Sequence, residues 1–474
     1  MSNRSMSSSN EDMASRVESY VRNALNLLRY NQESSGLQKH HKSASSPSTL
    51  LNKLFRTGTN PMATRQASGH TNLPPVSADI DSQMILDTIW MKLSNWSPPS
   101  LNDPHHKQVA AYADHNALQR LCLKVSNEYA QVPTQLIAMN VTRKDVDPHF
   151  TGGHADVYRG TFGEREVALK VFRVYHTASK SGATVRQQAL MAFNREVLLW
   201  ANLTHDHVLP FLGVSSDIFR DRLCIVLPLM KNGDLRHYTN TLTQSGELNY
   251  ENFIQSTHSW AHQIAQGIAY LHSDAVGIVH GDLHHGNILV TDDGRLQITD
   301  LGMTIVSNAT AGAYGTLTSG GAIRWAAPEI LSPETFGAGF DGRPTFQSDI
   351  YAFACVLYEL YTSKVPFDGL RNFHAGRLVI NGQRPPHPNG SDDRATDEMI
   401  WSLITSCWAQ KPSHRPPADR VVERLRRMQS TSKSDLSETL PYRSFYKRLM
   451  TQSLSRIGSR DSNSRTSGST ANQG

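Results

Sequence analysis

The chain has little cysteine, no long apolar run and no strong excess of either charge. Its four cysteines, Cys122, Cys224, Cys355 and Cys407, are scattered through 474 residues without a CxxC pair or zinc-type spacing. That pattern argues against a disulfide framework or a cysteine metal centre and for buried free thiols. No stretch of about eighteen apolar residues occurs, and the opening MSNRSMSSSNED lacks the apolar core of a secretory signal. The expected location is therefore the cytoplasm, with the nucleus also open to it, and no membrane span is expected. Net charge is only +5, of which +4 comes from residues 430–474, where seven basic side chains face three acidic ones. The remainder is nearly neutral, so a chain built throughout for nucleic acid is not expected.

What is present is enough apolar material, 38% of residues, for one large or two medium globular domains. Residues 1–77 are rich in Ser, Asn and His and are expected to be disordered, with VRNALNLLRY and TLLNKLF as weak helices at best. Over 78–135, Ile85, Ile89 and Leu93, then Leu118, Leu121, Cys122 and Val125, recur at helical steps on either side of the breaker SPPSLNDP. A helical extension follows from that pattern, packed on itself or on the domain that follows. Residues 429–474 read as a disordered, basic, Ser-rich tail, either solubilising and phosphorylatable or in contact with anionic partners.

Between 136 and 428 the periodicity changes within one domain. Its first half holds the β-rich runs ADVYRG, EVALKVF and LCIVLPL around one helix, QQALMAFNREVLLWANL. Its second half opens with THSWAHQIAQGIAYLHSD, whose Trp260, Ile264, Ile268 and Leu271 share a helix face. The expected fold class is α+β: a small antiparallel β lobe with one helix, then a larger helical lobe. After the long helix, VHGDLHHGNILVTDDGRLQITDLG sets Asp282 and Asn287 before a short hairpin and Asp300 after it. Such a hairpin brings two carboxylates and an amide oxygen to one cleft. Those are hard ligands suited to Mg²⁺, with one carboxylate left over to orient a hydroxyl, which is what phosphoryl transfer from a nucleotide requires.

With these motifs in view, the chain from about Asp147 to Met428 resembles a eukaryotic protein kinase. HGDLHHGN is similar to the catalytic-loop motif HRDLxxxN, DLG to DFG, AAPE to APE, VALK to the lysine-bearing strand and FTGGHADV to the glycine-rich loop. RWAAPE, CWAQKPSHRP and IVLPLMKNGDL resemble the tyrosine-kinase-like branch of Ser/Thr kinases, in particular its fungal HGDL members. The resemblance implies a protein Ser/Thr kinase acting in intracellular signalling, with ATP and Mg²⁺ as cofactors and proteins as substrates. Scaffold or regulatory partners could meet the N-terminal helices or the basic tail. It implies catalytic roles for Asp282, Lys170, Glu196 and His284, with Glu196 paired to Lys170, and metal binding by Asn287 and Asp300. Gly152, Gly153, Val157, Ala168, Lys170, Leu227, Leu229, Met230 and Leu289 are implied to hold the nucleotide. Asp349 is expected to hold the catalytic-loop backbone, and Arg415 to pair with Glu329.

The chain departs from the family pattern in specific places. Phe150 and Ala155 replace two glycines of the nucleotide loop, and Gly281 replaces the catalytic-loop arginine. His284 stands where a lysine usually meets the transferred phosphate, and Ala322 where a threonine usually contacts it. His284 is either a part-time cation there or a polar loop residue facing solvent. These losses leave open a pseudokinase scaffold that binds nucleotide or partners without efficient transfer. A small-molecule kinase is disfavoured by the APE motif, Arg415 and the long segment before Ala327.

Overall fold

The computed structural model describes residues 15–26, 81–97, 99–100, 103–152, 155–173, 182–219, 222, 224–249, 252–301, 321–337, 340–387 and 398–435. Its first element is a helix, α1 (15–26), inside the stretch expected to be disordered. Val17, Tyr20, Val21 and Ala24 recur at three- and four-residue steps and are all buried, in one apolar cluster with the two helices that follow. The disorder expected over 1–77 is thus corrected for 15–26, because a four-residue stripe finds a partner surface that a Ser-rich composition does not reveal. The other expected weak helix, TLLNKLF, lies outside the described residues.

Helix α2 (Ser82–Ser94) is capped by Asp81, whose carboxylate accepts the Gln83 N–H at 2.9 Å. It buries Ile85, Leu86, Ile89, Trp90 and Leu93, and α3 (His105–Tyr129) packs Leu121, Cys122 and Val125 into the same cluster. Lys92 of α2 reaches Glu18 of α1 at 2.9 Å. The unit is tied to the chain that enters the sheet, because the Thr134 N–H and hydroxyl both donate to the Asp87 carboxylate at 2.7 Å.

The small lobe is an antiparallel sheet whose path runs β1–β3–β4–β6–β5, with β2 added beside β3. The strands are β1 (Val141–Arg143), β2 (Phe150–Thr151), β3 (Ala155–Phe162), β4 (Arg165–Phe172), β5 (Gly213–Ser215) and β6 (Cys224–Pro228). Helix α4 (Gly182–Trp200) lies between β4 and β5 in sequence and packs against α3, so the extension rests directly on this lobe. Period two decides what faces what. Val167, Leu169 and Val171 of β4 are buried in one cluster with Tyr158, Cys224 and Val226. Ala168 and Lys170 therefore point the other way, towards the second lobe.

In the large lobe, α5 (Leu235–Ser245) and α6 (Phe253–His272) precede the hairpin of β7 (Ile288–Val290) and β8 (Leu296–Ile298). Trp260, Ile264, Ile268 and Leu271 of α6 are all buried, as their spacing predicts. Short α7 (Pro328–Leu331) leads to α8 (Phe346–Thr362), opened by a Thr345/Ser348 capping box and buried from Ser348 to Thr362. Helix α10 (Glu398–Cys407) packs on α8, α9 (Asn372–Ile380) on α7, and α11 (Ala418–Asp435) along α6. Helix α11 passes the expected boundary at Met428, since Gln429 donates to the His258 carbonyl at 3.2 Å. Among the described residues no helix is long and apolar enough to cross a membrane.

Candidate active site

Two hairpin-like pairings position the site. In the small lobe, β4 sets Lys170 opposite Val157 of β3 and Ile225 of β6, and Ala168 opposite Leu227. This gathers Val157, Ala168, Lys170 and Leu227 on the face that meets the large lobe, with Leu229 and Met230 following β6 and half-buried. Leu289, also half-buried, lies on β7 and is bridged to Asp234 beyond the Met230–Gly233 turn. The nucleotide-binding set inferred from sequence thus borders one cleft. Gly152 is placed by its N–H, which donates to the Ala155 carbonyl at 2.9 Å, while Gly153 lies outside the described residues.

In the large lobe, α8 anchors the loop that carries Asp282. The Asp349 carboxylate accepts the His280 N–H at 2.8 Å and the Gly281 N–H at 2.9 Å, while His272 Nε2 lies 2.9 Å away. The expected tie between Asp349 and the catalytic-loop backbone is thus present. His280, to which the sequence motif assigns no role of its own, is fully enclosed and braces the loop from within. Its Nε2 donates to the Thr299 carbonyl at 2.9 Å and its Nδ1 accepts the Asp282 N–H at 3.2 Å. Burial, only partly offset by Asp349, holds His280 below its ordinary value, which suits a ring that uses one nitrogen as donor and the other as acceptor.

The hairpin β7–β8 pairs Ile288 with Ile298, so Asn287 and Thr299 flank it and Asp300 follows. The Asn287 side-chain amide donates to the Asp282 carbonyl at 2.8 Å and approaches its carboxylate at 3.5 Å. Asp300 sits in the left-handed region at φ 62, where a short polar side chain is tolerated, and its carboxylate is ion-paired with the Lys170 ammonium. Burial would raise Asp300, but the Lys170 charge prevails and holds it below the usual carboxylate range. Asp282 behaves oppositely. Desolvation by surrounding protein, then the Asp300 charge, push its carboxyl up to about 7, and the solvent that reaches 42% of the side chain screens part of that push. Two carboxylates held apart in this way form a proton-accepting group beside a charged one.

Glu196 is the sequence expectation that the structure overturns. It lies on α4 as foreseen, 3% exposed, but its Oε1 has no hydrogen-bond partner and Lys170 pairs with Asp300 instead. Burial raises the Glu196 carboxyl to about 8, against a weaker pull from Arg195. Sequence supplies both carboxylates as partners for one lysine; which of them it meets depends on where α4 sits.

His284 is not the solvent-facing residue that one reading allowed, since its side chain is 23% exposed. It caps the turn His285–Asn287, its Nδ1 accepting the Gly286 N–H at 3.0 Å. Its ring lies 5.7 Å from those of both His285 and Trp325. His285 turns away to Glu359 Oε2 at 3.2 Å, and Arg236 of α5 also binds Glu359. That contact between α5 and α8 has no motif signal, because its members lie 123 residues apart. The side chain of Ala322 and the segment 302–320 lie outside the described residues. Arg415 and Glu329 form the expected pair, bidentate at 2.6 and 2.7 Å and fully buried.

Comparison with known proteins agrees with this geometry. Residues 151–425 match the family model described as protein tyrosine and serine/threonine kinase. The chain is 30% identical over 290 residues to serine/threonine/tyrosine-protein kinase HT1 of Arabidopsis thaliana, covering 61% of this chain and 67% of that one. It is 29% identical over 302 residues to the probable serine/threonine-protein kinase drkA of Dictyostelium discoideum, covering 62% of this chain and 42% of the relative. To serine/threonine-protein kinase STY17 of Arabidopsis thaliana it is 27% identical over 279 residues, spanning 43% of that protein. The last two relatives are thus matched over less than half their length. With more than half of its residues inside the family model and its lysine strand, catalytic loop and buried Arg415–Glu329 pair in their expected places, the chain belongs to the protein tyrosine and serine/threonine kinase family.

Proposed function

We propose that the chain transfers the γ-phosphoryl group of ATP to serine and threonine hydroxyls of proteins in intracellular signalling. The observation that carries this reading is the convergence of Lys170, Asp282, Asn287 and Asp300 at one edge of the cleft between the lobes. Asp282, pushed up to about 7, accepts the hydroxyl proton as the oxygen attacks phosphorus. Lys170 leaves Asp300 to place its charge on the α- and β-phosphates. Leu227, Leu229, Met230, Val157, Ala168 and Leu289 enclose the adenine, while Gly152 and Gly153 let the backbone approach the phosphates.

The donor set fits Mg²⁺. Asp300 offers a carboxylate, and Asn287 commits its amide N–H to the Asp282 carbonyl, which leaves its Oδ1 as a hard oxygen donor. When bound, the ion neutralises charge on the phosphates. Asp349, His280 and His272 act on the protein side by holding the Asp282 loop in one geometry.

The test incubates the full chain with γ-labelled ATP, Mg²⁺ and a generic basic protein, and identifies the labelled amino acids. Phosphoserine and phosphothreonine are expected. Phosphotyrosine alone would refute the Ser/Thr assignment, and nucleotide binding without any label would favour a scaffold of the same fold.

A further inference from the structure

Residues 204–209 lie between α4 and β5 of the small lobe but are fastened to the large one. The Thr204 N–H donates to the Tyr270 hydroxyl of α6 at 3.0 Å, and the Gln297 side-chain amide of β8 donates to the Asp206 carbonyl at 3.1 Å. The His207 carbonyl accepts the Ile298 N–H at 3.0 Å, and the Leu209 N–H donates to the Ile298 carbonyl at 2.8 Å. The segment thus takes the edge of β8 that β7 leaves open. Gly267 of α6 permits this approach, since a Cβ there would stand 2.7 Å from the His207 carbonyl oxygen. Ile298 is followed after one residue by Asp300, so the same pairing steadies the strand that leads to that carboxylate.

Two histidines hold the segment in shape. His205 lies flat on Tyr270, with ring centroids 4.7 Å apart at 15°, and its Nδ1 accepts the His207 N–H at 3.1 Å. His207 Nδ1 lies 3.0 Å from the Leu296 carbonyl and is the donor, because a carbonyl only accepts. The neutral His205 ring therefore carries its proton on Nε2, and a second proton has to enter at Nδ1, the atom that holds the His207 amide. Its arrival breaks that bond and sets a positive ring 5.6 Å from the ring of His207.

The surroundings give such a charge little support. Helix α6 presents the ring of Tyr270 and His262, whose buried Nε2 has no hydrogen-bond partner among the described residues, and α11 sets Arg426 near His262. Strand β8 brings only Leu296, Gln297 and Ile298, none of them ionisable, and Asp293 and Arg295 of the hairpin pair with each other. Asp206 is the negative neighbour, and it is exposed. Burial, then His207, hold His205 below its ordinary value against the pull of Asp206. Burial, His207 and Arg426 do the same to His262. Because the folded values are the lower ones, the stability linked to these rings is complete above 6.5 and is lost as pH falls below it.

We propose that residues 204–209 form an acid-sensitive latch between the lobes, in which a proton on His205 Nδ1 displaces the His207 amide, frees the segment from β8 and loosens the strand that leads to Asp300. The latch rests on contacts within the fold and stands apart from the phosphoryl-transfer reading.

Asparagine keeps an acceptor oxygen and a donor amide near the position of Nδ1 and does not titrate. The full chain is compared as wild type and as the double variant His205→Asn/His207→Asn between about pH 7.5 and about pH 5.5, on either side of the ordinary histidine value. In the wild type, hydrogen exchange at the Leu209 and Ile298 amides, corrected for the intrinsic effect of pH, is expected to quicken at least roughly tenfold in acid. In the variant the corrected rates are expected to change less than roughly twofold. The wild-type melting temperature should fall more steeply with acid, by roughly 3 °C more than that of the variant. Corrected exchange that stays constant in the wild type would overturn the proposal even if the variant failed to fold. Equal acceleration in a folded variant would also overturn it, because groups other than these histidines would then be opening the segment.

Discussion

Replacing Glu196 by glutamine changes stability with pH in a way the structure makes quantitative. The Glu196 carboxyl is 3% exposed, has an oxygen without a hydrogen-bond donor and is raised from 4.5 to about 8 by burial. An unfolded glutamate ionises near 4.5, so between 4.5 and about 8 the unfolded chain gives up a proton that the folded chain keeps. Because the folded value is the higher one, the stability linked to this group is complete below about 4.5 and is lost as pH rises towards about 8. At about 1.4 kcal/mol per unit, the loss is at most about 4 kcal/mol at pH 7.5 and about 1 kcal/mol at pH 5. Glutamine has no such charge to desolvate. In nucleotide-free thermal melts the Glu196→Gln chain should therefore exceed wild type by roughly 5 °C at pH 7.5, and the two should come within roughly 2 °C at pH 5. Identical pH slopes for the two melting curves would refute the account of Glu196 as a buried, uncharged side chain.

Two further substitutions test the frame around the site. Arg415→Ala strands the fully buried Glu329 carboxylate and should cost about 3–5 kcal/mol, seen as a fall in the urea midpoint; a change under about 1 kcal/mol would contradict the pairing. Gly267→Ala puts a Cβ 2.7 Å from the His207 carbonyl oxygen and 2.8 Å from Ile298 Cδ1, where α6 supports β8. It should destabilise by about 1–3 kcal/mol despite alanine's higher helix propensity, and a rise in melting temperature would show that the contact yields.

The parts of this fold that sequence foretells are those in which a local pattern determines the packing. Val167, Leu169 and Val171 alternate with Ala168 and Lys170, so the burial of the first three already sends Lys170 to the cleft. The TDDGR turn closes β7 on β8 with Gly294 at φ 81, which brings Asn287 and Asp300 to one end of the hairpin. Helix α1 is legible only in part: VRNALNLLRY reads as a weak helix from Val21, but the stripe of Val17, Tyr20, Val21 and Ala24 is short and set in polar sequence, and tertiary contact with α2 and α3 gives it a buried face. The partner of Lys170 was hidden for a different reason. Glu196 and Asp300 are equally good anions on paper, and the choice between them depends on the placement of α4, a long-range property.

The most direct test of the central claim compares phosphate transfer from Mg-ATP by the full chain with that of Asp282→Ala and Asp300→Ala, each checked for wild-type melting behaviour. The account predicts label on protein substrate from the wild type and a loss of at least roughly 100-fold in both variants, since one removes the proton acceptor and the other the metal-facing carboxylate. Transfer that survives both substitutions, or a wild type no more active than the variants, would contradict it.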